Sequence, residues 1–442
     1  MKRTPGGERR GEDERRGLRQ HRPNVGQLGS GRRCRTLRRV LAHGRVGPPS
    51  CVLRFASCGA TSDYATPIPA SRGLRRCGGS PYCRGTVKRG TDLEQILLRG
   101  EPYDRGVQHG RVAAKMIRGF LADHVARINQ IRHTPLSASE ITAHVAAHAA
   151  VIEREVPELA EEIRGLATGA QITYEQAMLL QLRRELIGAP AGIAGGDCST
   201  IMVRDAGGVL LAQNVDQEGL MSQLGTIMLI EPAETGSPIV LLFSFAGLLG
   251  YAGLNSSGVA VTTNLVTSSD IVPGVPPYLL VREALACNTA AAAVARLEQL
   301  TRASARAFTI ADRHQTLCCE FTPDSFRSWP VTQLVRTNHF THPDLLAEER
   351  LNVFSLNASR RRLEILEAGA PSVGLDPAKA FGLLSDHSLY PIGVCAHAEG
   401  DPRQPDTAAA IVMRPDQRTL WACRGNPCTA TPREYSLARR PS

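Results

Sequence analysis

Two short apolar runs, Thr200-Ile201-Met202-Val203 and Val209-Leu210-Leu211-Ala212, flank Asp205-Ala206-Gly207-Gly208. β-prone runs joined by an Asp/Gly turn predict a β-hairpin. Cys198 opens its first strand, and Asn214 and Asp216 close its second, so the hairpin folds this polar pair back beside the thiol. Upstream the pattern is helical. Residues 97–103 predict a short strand and turn, and Arg105-Gly106-Val107-Gln108-His109-Gly110 opens a helix. Ser137-x-x-Glu140 is a capping box ahead of one long amphipathic run through about residues 149–166. Thr173-x-x-Gln176 is a second box before Ala177-Met178-Leu179-Leu180. Downstream, strands are expected at 226–230, 239–245, 259–263, 308–310 and 409–413, with helices at 278–286, 289–299 and 358–367. Strands first in hairpins and later interleaved with helices fit a layered α/β or α+β domain.

The 442-residue length allows one large domain with an appendage, or two ordinary domains. A formal charge of +10 invites a nucleic-acid reading, but residues 1–90 hold 21 Lys+Arg against five Asp+Glu. The remainder carries 31 basic and 37 acidic groups, so the basicity belongs to the N-terminal segment alone. Residues 1–94 lack sustained periodicity and are expected to be disordered, because they cannot bury enough apolar surface to offset chain entropy. Three readings of this extension compete: an Arg-rich arm for RNA or DNA, a targeting peptide, and a non-functional extension with a biological start near Val87. Cys77 and Cys83, spaced C-x5-C without a CxxC pair or nearby His, make a weak zinc motif. The twelve cysteines do not form a secreted disulfide framework. No run reaches the roughly 18 apolar residues of a membrane span, and Arg interrupts every candidate signal-peptide core. The expected compartment is cytoplasmic.

Cys198 stands out among the cysteines by context. It follows Gly195-Gly196-Asp197, where the glycines allow close backbone approach, and precedes Ser199-Thr200 at a strand start. A thiolate is accessible near neutral pH and strongly nucleophilic. Neither papain-like surroundings nor a G-x-S-x-G elbow accompanies it, so another mode of activation is required.

Motifs along the chain carry a family resemblance. They are Arg105-Gly106-x-x-His109-Gly110, Asp197-Cys198-Ser199-Thr200, Asn214-x-Asp216, Gly253-Leu254-Asn255-Ser256-Ser257-Gly258, Thr337-Asn338-His339-Phe340, Ser359-x-x-Arg362, Leu384-x-Asp386-His387, Ile392-x-x-Cys395 and Gly425-Asn426-Pro427-Cys428. In this order, from about residue 95 to 430, the chain resembles the acyl-CoA:6-aminopenicillanate acyltransferase family, the C45 peptidases of the N-terminal nucleophile (Ntn) hydrolase superfamily. The resemblance implies an α+β, four-layer αββα sandwich. It also implies self-cleavage between Asp197 and Cys198, leaving a helical pro-segment (95–197) and a catalytic chain (198–442) as an α/β heterodimer. The new α-amino group, with an ordinary pKa of about 8, would then serve as base for the Cys198 thiol.

On the same resemblance, Cys198 is the nucleophile, Asp216 orients the new amino terminus, and Asn338 donates to the oxyanion. Asn255 and Asn264 are both read first as structural, one in a Gly-bounded turn and one at a strand end, with Asn264 close enough in the chain pattern to serve the substrate or oxyanion as the alternative. Arg403 corresponds, across a gap, to an arginine that holds a carboxylate or developing charge. His387 and His397 are read as loop-packing residues, since no metal-spaced partner is visible; no metal or cofactor is expected, with acyl-CoA as a conceivable co-substrate. Two positions depart from the penicillin enzymes: Asp197 replaces Gly before the nucleophile, and Ala396 replaces the Arg after Cys395. The second points away from a penicillin substrate. The favoured reading is a self-processing thiol amidohydrolase or acyltransferase acting on a small linear amide. The alternatives are CoA-dependent N-acyl transfer, a non-catalytic binding protein on the same scaffold, and nucleic-acid binding through the arm.

Overall fold

The structure, a computed structural model, describes residues 92–188, 198–268, 270–391 and 393–437. The Arg-rich extension, the Val87 start, the Cys77/Cys83 pair and Asp197 lie outside the described residues.

Strand β1 (Gln95–Gly100) leads into α1 (Pro102–Ala122) and the short α2 (Ile128–Ile131). Both predicted capping boxes form. Ser137 accepts from the Glu140 N–H and opens α3 (Ala138–Glu155). Thr173 accepts from the Gln176 N–H and opens α5 (Tyr174–Gln181), followed by α6 (Arg183–Ile187). The single amphipathic run expected through 149–166 is instead split between α3 and α4 (Pro157–Ala170). Pro157 has no N–H to continue the helical ladder and excludes Val156 from helical geometry, leaving it at φ −136°, ψ 57°.

Helices α1 and α4 cross at backbone contact through Gly106 and Gly110 on one and Gly165 and Gly169 on the other. A Cβ on Gly106 would fall 1.9 Å from the Glu162 carbonyl oxygen, and one on Gly169 would fall 2.2 Å from that of Val107. A buried ion cluster locks the crossing, with Glu162 taking Arg105 at 3.2 Å and Arg282 at 2.7 Å. His109 Nε2 accepts from the Gly247 N–H at 3.1 Å. Burial keeps this imidazole neutral and pushes its pKa down to about 4. The Arg-Gly-x-x-His-Gly motif is therefore a packing device.

The predicted hairpin is β2 (Ser199–Asp205) and β3 (Gly208–Gln217), paired from Ser199↔Asn214 to Asp205↔Gly208. It lies in a six-stranded sheet between β11 (Gln333–Arg336) and β12 (Asp406–Arg414), with β13 (Thr419–Arg424) and β14 (Arg433–Ser436) beyond. A second sheet of eight strands runs β1, β4 (Gly225–Pro232), β5 (Val240–Phe245), β6 (Ala252–Asn255), β7 (Ala260–Leu265), β8 (Arg306–Ala311), β9 (Thr316–Phe321) and β10 (Phe326–Pro330). Because β1 pairs in parallel with β4, the helical N-terminal region supplies an edge strand and is not a detached segment.

Period-two alternation on the hairpin builds two cores. Met202, Val209, Leu211 and Val215 face inward and join the apolar core of the eight-stranded sheet. Ile201, Leu210 and Ala212 point the other way and pack with Leu366 of α9 (Val353–Gly369) and Phe381 of α10 (Pro377–Leu384). Helices α7 (Pro277–Leu285) and α8 (Ala290–Gln299) pack on the strands of the eight-stranded sheet. The result is the expected αββα arrangement. Among the described residues, no helix is long and apolar enough to cross a membrane.

Candidate active site at the end of the hairpin

Cys198 immediately precedes β2, and the two-residue turn of the hairpin sets its register against β3. Asp205 stabilises that turn by accepting from the Gly207 N–H at 2.7 Å. The Cys198 thiol is buried, 3.4 Å from the Tyr251 hydroxyl and 3.7 Å from the Asp216 backbone carbonyl. Gln217 Nε2 donates to the Tyr251 oxygen at 2.9 Å. Burial, followed by the charge of Asp216, pushes the thiol up to about 11 despite the Tyr251 contact. In the continuous chain, Cys198 is a neutral thiol at physiological pH.

Asp216 is fully buried opposite Thr407 of β12. Thr407 Oγ1 donates to its carboxylate at 2.6 Å and accepts from the Ala396 N–H at 3.0 Å. Asn264, at the end of β7, donates through Nδ2 to the Cys198 carbonyl at 3.1 Å and accepts from Thr200 Oγ1 at 2.8 Å. Arg362, projecting from α9, donates to the same carbonyl at 3.3 Å and to Ser199 Oγ at 3.0 Å. Its other terminal nitrogen donates to Asn338 Oδ1 at 2.9 Å. Asn338 is fixed further by its N–H donating to Ser359 Oγ at 2.8 Å and its Nδ2 donating to the Leu265 carbonyl at 3.0 Å. A clamp from β7 and α9 thus grips Cys198 by its own carbonyl, and Arg362 links that clamp to Asn338.

The structure therefore brings together Cys198, Asp216, Asn264 and, through Arg362, Asn338. It does not bring Arg403 to them by any contact among the described residues. Arg403 stands in a turn, its side chain 66% exposed and bonded to Asp401 at 3.3 Å. Asn214 is structural, donating to the carbonyls of Leu384 and Val394 at 2.8 and 2.7 Å. Asn255 closes its turn as expected by accepting from the Val259 N–H at 3.0 Å.

Sequence reasoning missed Tyr251, Thr407 and the clamp role of Arg362. Only Arg362 had a signal, since Ser359-x-x-Arg362 places both residues on one helical face. His387 and His397, read as loop-packing residues, have thiol neighbours that their sequence spacing did not show. Cys395 and Cys428, remote in sequence, stand beside them, with potential ligand atoms of all four within 4.8 Å of one another.

Two cavities border the site. One is a small cavity lined by Phe120, Arg183, Arg184, Gln217, Phe245 and Tyr278, alongside the Gln217–Tyr251 pair. The other includes Arg184, Leu265, Thr267, Ser304 and Arg306, at the carbonyl that Asn338 engages.

A family model described as acyl-coenzyme A:6-aminopenicillanic acid acyl-transferase matches residues 203–429, beginning five residues after Cys198. The acyl-coenzyme A:6-aminopenicillanic-acid-acyltransferase 40 kDa form of Emericella nidulans is 26% identical over 317 residues, covering 70% of this chain and 86% of that protein. Among solved structures, penicillin V acylase from Agrobacterium tumefaciens is similar at 15% identity and TM-score 0.38, covering 55% of this chain and 86% of the other. The conjugated bile acid hydrolase from Clostridium perfringens is similar at 10% identity and TM-score 0.37, covering 55% and 93%.

Proposed function

Because the chain belongs to the acyl-coenzyme A:6-aminopenicillanic acid acyl-transferase family of Ntn-hydrolase-type enzymes, we propose that it cleaves or transfers the acyl group of a small linear amide through a Cys198 acyl-enzyme. Autocatalytic cleavage of the Asp197–Cys198 bond would generate the active nucleophile. The observation that carries this reading is a buried thiol pushed up to about 11 and clamped by its own carbonyl. Such a thiol has geometry but no base. Cleavage supplies one at the required place, because the freed α-amine of Cys198 has an ordinary pKa of about 8 and sits on the same residue as the sulfur.

In the maturation step, Sγ attacks the Asp197 carbonyl carbon, the amide nitrogen leaves with a proton, and water hydrolyses the resulting thioester. In the catalytic step, the α-amine accepts the thiol proton and sulfur attacks the substrate carbonyl. The tetrahedral oxyanion takes hydrogen bonds from Asn338, with Asn264 beside it, and the departing amine collects the proton held by the α-amine. Asp216, bonded to Thr407, stabilises that ammonium. Water or an acceptor amine then takes the acyl group and frees the thiol. Acyl-CoA, the acyl donor in the family's name, is the alternative to an amide at the same nucleophile.

Intact-mass analysis of the purified protein and of Cys198→Ala tests the reading. Two fragments meeting at 197/198 in the wild type and one uncut chain in the variant are expected. A wild type that stays whole and still releases amine from amides would overturn it.

A further inference from the structure

Beside the catalytic centre, three loop positions converge on one point: His387 after α10, Cys395 and His397 just before β12, and Cys428 after β13. His397 Nε2 lies 3.0 Å from His387 Nε2, 3.5 Å from Cys395 Sγ and 3.7 Å from Cys428 Sγ, and the two sulfurs are 3.7 Å apart. We propose that His387, Cys395, His397 and Cys428 form a structural tetrahedral metal site, with zinc as its ion.

Four of the six separations are close to those of a coordination shell, and the two between His387 and the sulfurs are within 4.8 Å. Tetrahedral zinc with Zn–N near 2.0–2.1 Å and Zn–S near 2.3 Å places its ligands about 3.4 Å (N···N), 3.6 Å (N···S) and 3.8 Å (S···S) apart. Two thiolates and two imidazoles are the soft and borderline donors that select zinc over magnesium or calcium. Four protein ligands close the shell, which marks a structural ion with no position left for substrate.

The surroundings support this geometry. Asn426 Nδ2 donates to Cys395 Sγ at 3.6 Å and to the Ala396 carbonyl at 2.6 Å, the outer contacts expected to orient a metal-bound thiolate. Backbone bonds fix the ligand loop, from the Cys395 N–H to Asp386 O at 3.1 Å and from the His397 N–H to Pro391 O at 3.0 Å. The spacing H-x7-C-x-H-x30-C follows no zinc-finger rule, which is why it is silent in the sequence.

The site is tied to the catalytic strand. Val394 and Ala396 flank Cys395; the Val394 carbonyl accepts from Asn214, and the Ala396 N–H donates to the threonine that bonds Asp216. A metal here staples the loop backing β3 to the loop after β13.

The test uses the full chain purified with zinc supplementation, its metal content measured by inductively coupled plasma mass spectrometry. One zinc per chain is expected, with at least a tenfold loss in Cys428→Ser and His397→Ala. Because these variants could misfold, wild type reconstituted with cobalt(II) provides a second readout. Expected are the intense visible bands of tetrahedral cobalt and a near-ultraviolet thiolate-to-metal charge-transfer band. Three outcomes overturn the site: a wild type without stoichiometric metal after zinc reconstitution, a cobalt form without the thiolate band, or a native Cys395–Cys428 disulfide found by peptide mass.

Discussion

Cys198 and Cys395 are both buried thiols close to the end of β3, yet their neighbours differ in kind. Cys198 faces a phenol hydroxyl and a backbone carbonyl. Cys395 faces a second thiol, an imidazole and a carboxamide. A thiol held in a dry pocket without a base stays protonated, and whatever adds a base at that point switches it on. Thiols that converge with imidazoles invite a cation, which removes their protons and consumes their nucleophilicity in coordination. On the two proposals made above, these cysteines do opposite work, one to react and one to hold.

The largest effect should separate the two. Cys198→Ala is expected to lower acyl transfer by roughly 10⁴-fold or more, in line with removal of a covalent nucleophile, while leaving metal content unchanged. Cys428→Ser should do the reverse, losing metal while a substantial fraction of the chain is still cut at 197/198. Equal loss of cleavage in both, read by intact mass, would break the separation. Next in size is Asn338→Ala. Loss of one oxyanion donor costs about 10²–10³ in kcat, roughly 3–4 kcal/mol, with KM changed only a few-fold. A change confined to KM would move Asn338 from the reaction to substrate binding.

The two regions also differ in how much the sequence revealed. The hairpin was legible because its signals are local: alternating apolar residues, an Asp/Gly turn, and a polar pair at the strand end opposite Cys198. Both capping boxes were legible for the same reason. Val156-Pro157 carried its own warning, but the amphipathic pattern continued across it and hid the break. The strands β6, β9, β10, β11, β13 and β14 were missed, and in β9, β10 and β11 it is Arg, Glu and Ser that punctuate the apolar pattern. Pairing supplies what the pattern lacks, β9 with β10 in the eight-stranded sheet and β11 with β2 in the six-stranded one, and a buried Arg336–Glu320 ion pair at 2.5 Å joins β11 to β9. Tyr251, Thr407 and the four-residue cluster are products of tertiary approach. No spacing rule links positions 198 and 251 or 397 and 428.

Acid sensitivity supplies a background against which both regions can be judged. The His109 imidazole is pushed down to about 4 by burial, from an ordinary 6.5. The unfolded chain therefore binds the proton first as pH falls, so this contribution is complete above about 6.5 and is lost progressively toward 4. Its size is roughly 3 kcal/mol. Thermal unfolding of wild type and His109→Gln at pH 7 and 4.5 should show a shallower acid loss in the variant. Equal slopes would assign the acid lability elsewhere, with His339, likewise pushed down to about 4 by burial, as the next candidate.

The smallest expected effect probes the link between the regions. Thr407 is the hinge of the comparison, since one hydroxyl accepts from the backbone beside Cys395 and donates to the carboxylate below Cys198. Thr407→Val keeps the shape but removes both bonds, leaving the Ala396 N–H and one Asp216 interaction without that partner. A buried group deprived of a partner costs about 1–3 kcal/mol, so stability should fall by about 1–2 kcal/mol. If Asp216 acts by holding the ammonium of a freed amino terminus, its loosened carboxylate should lower kcat by about tenfold and shift the acid limb of the pH–rate profile, where the amine base becomes protonated, to lower pH. Zinc content should stay near one per chain, because no ligand is touched. A variant that loses stability but keeps its pH profile would show that the hydroxyl only braces the strands, and that the two regions are neighbours without being coupled.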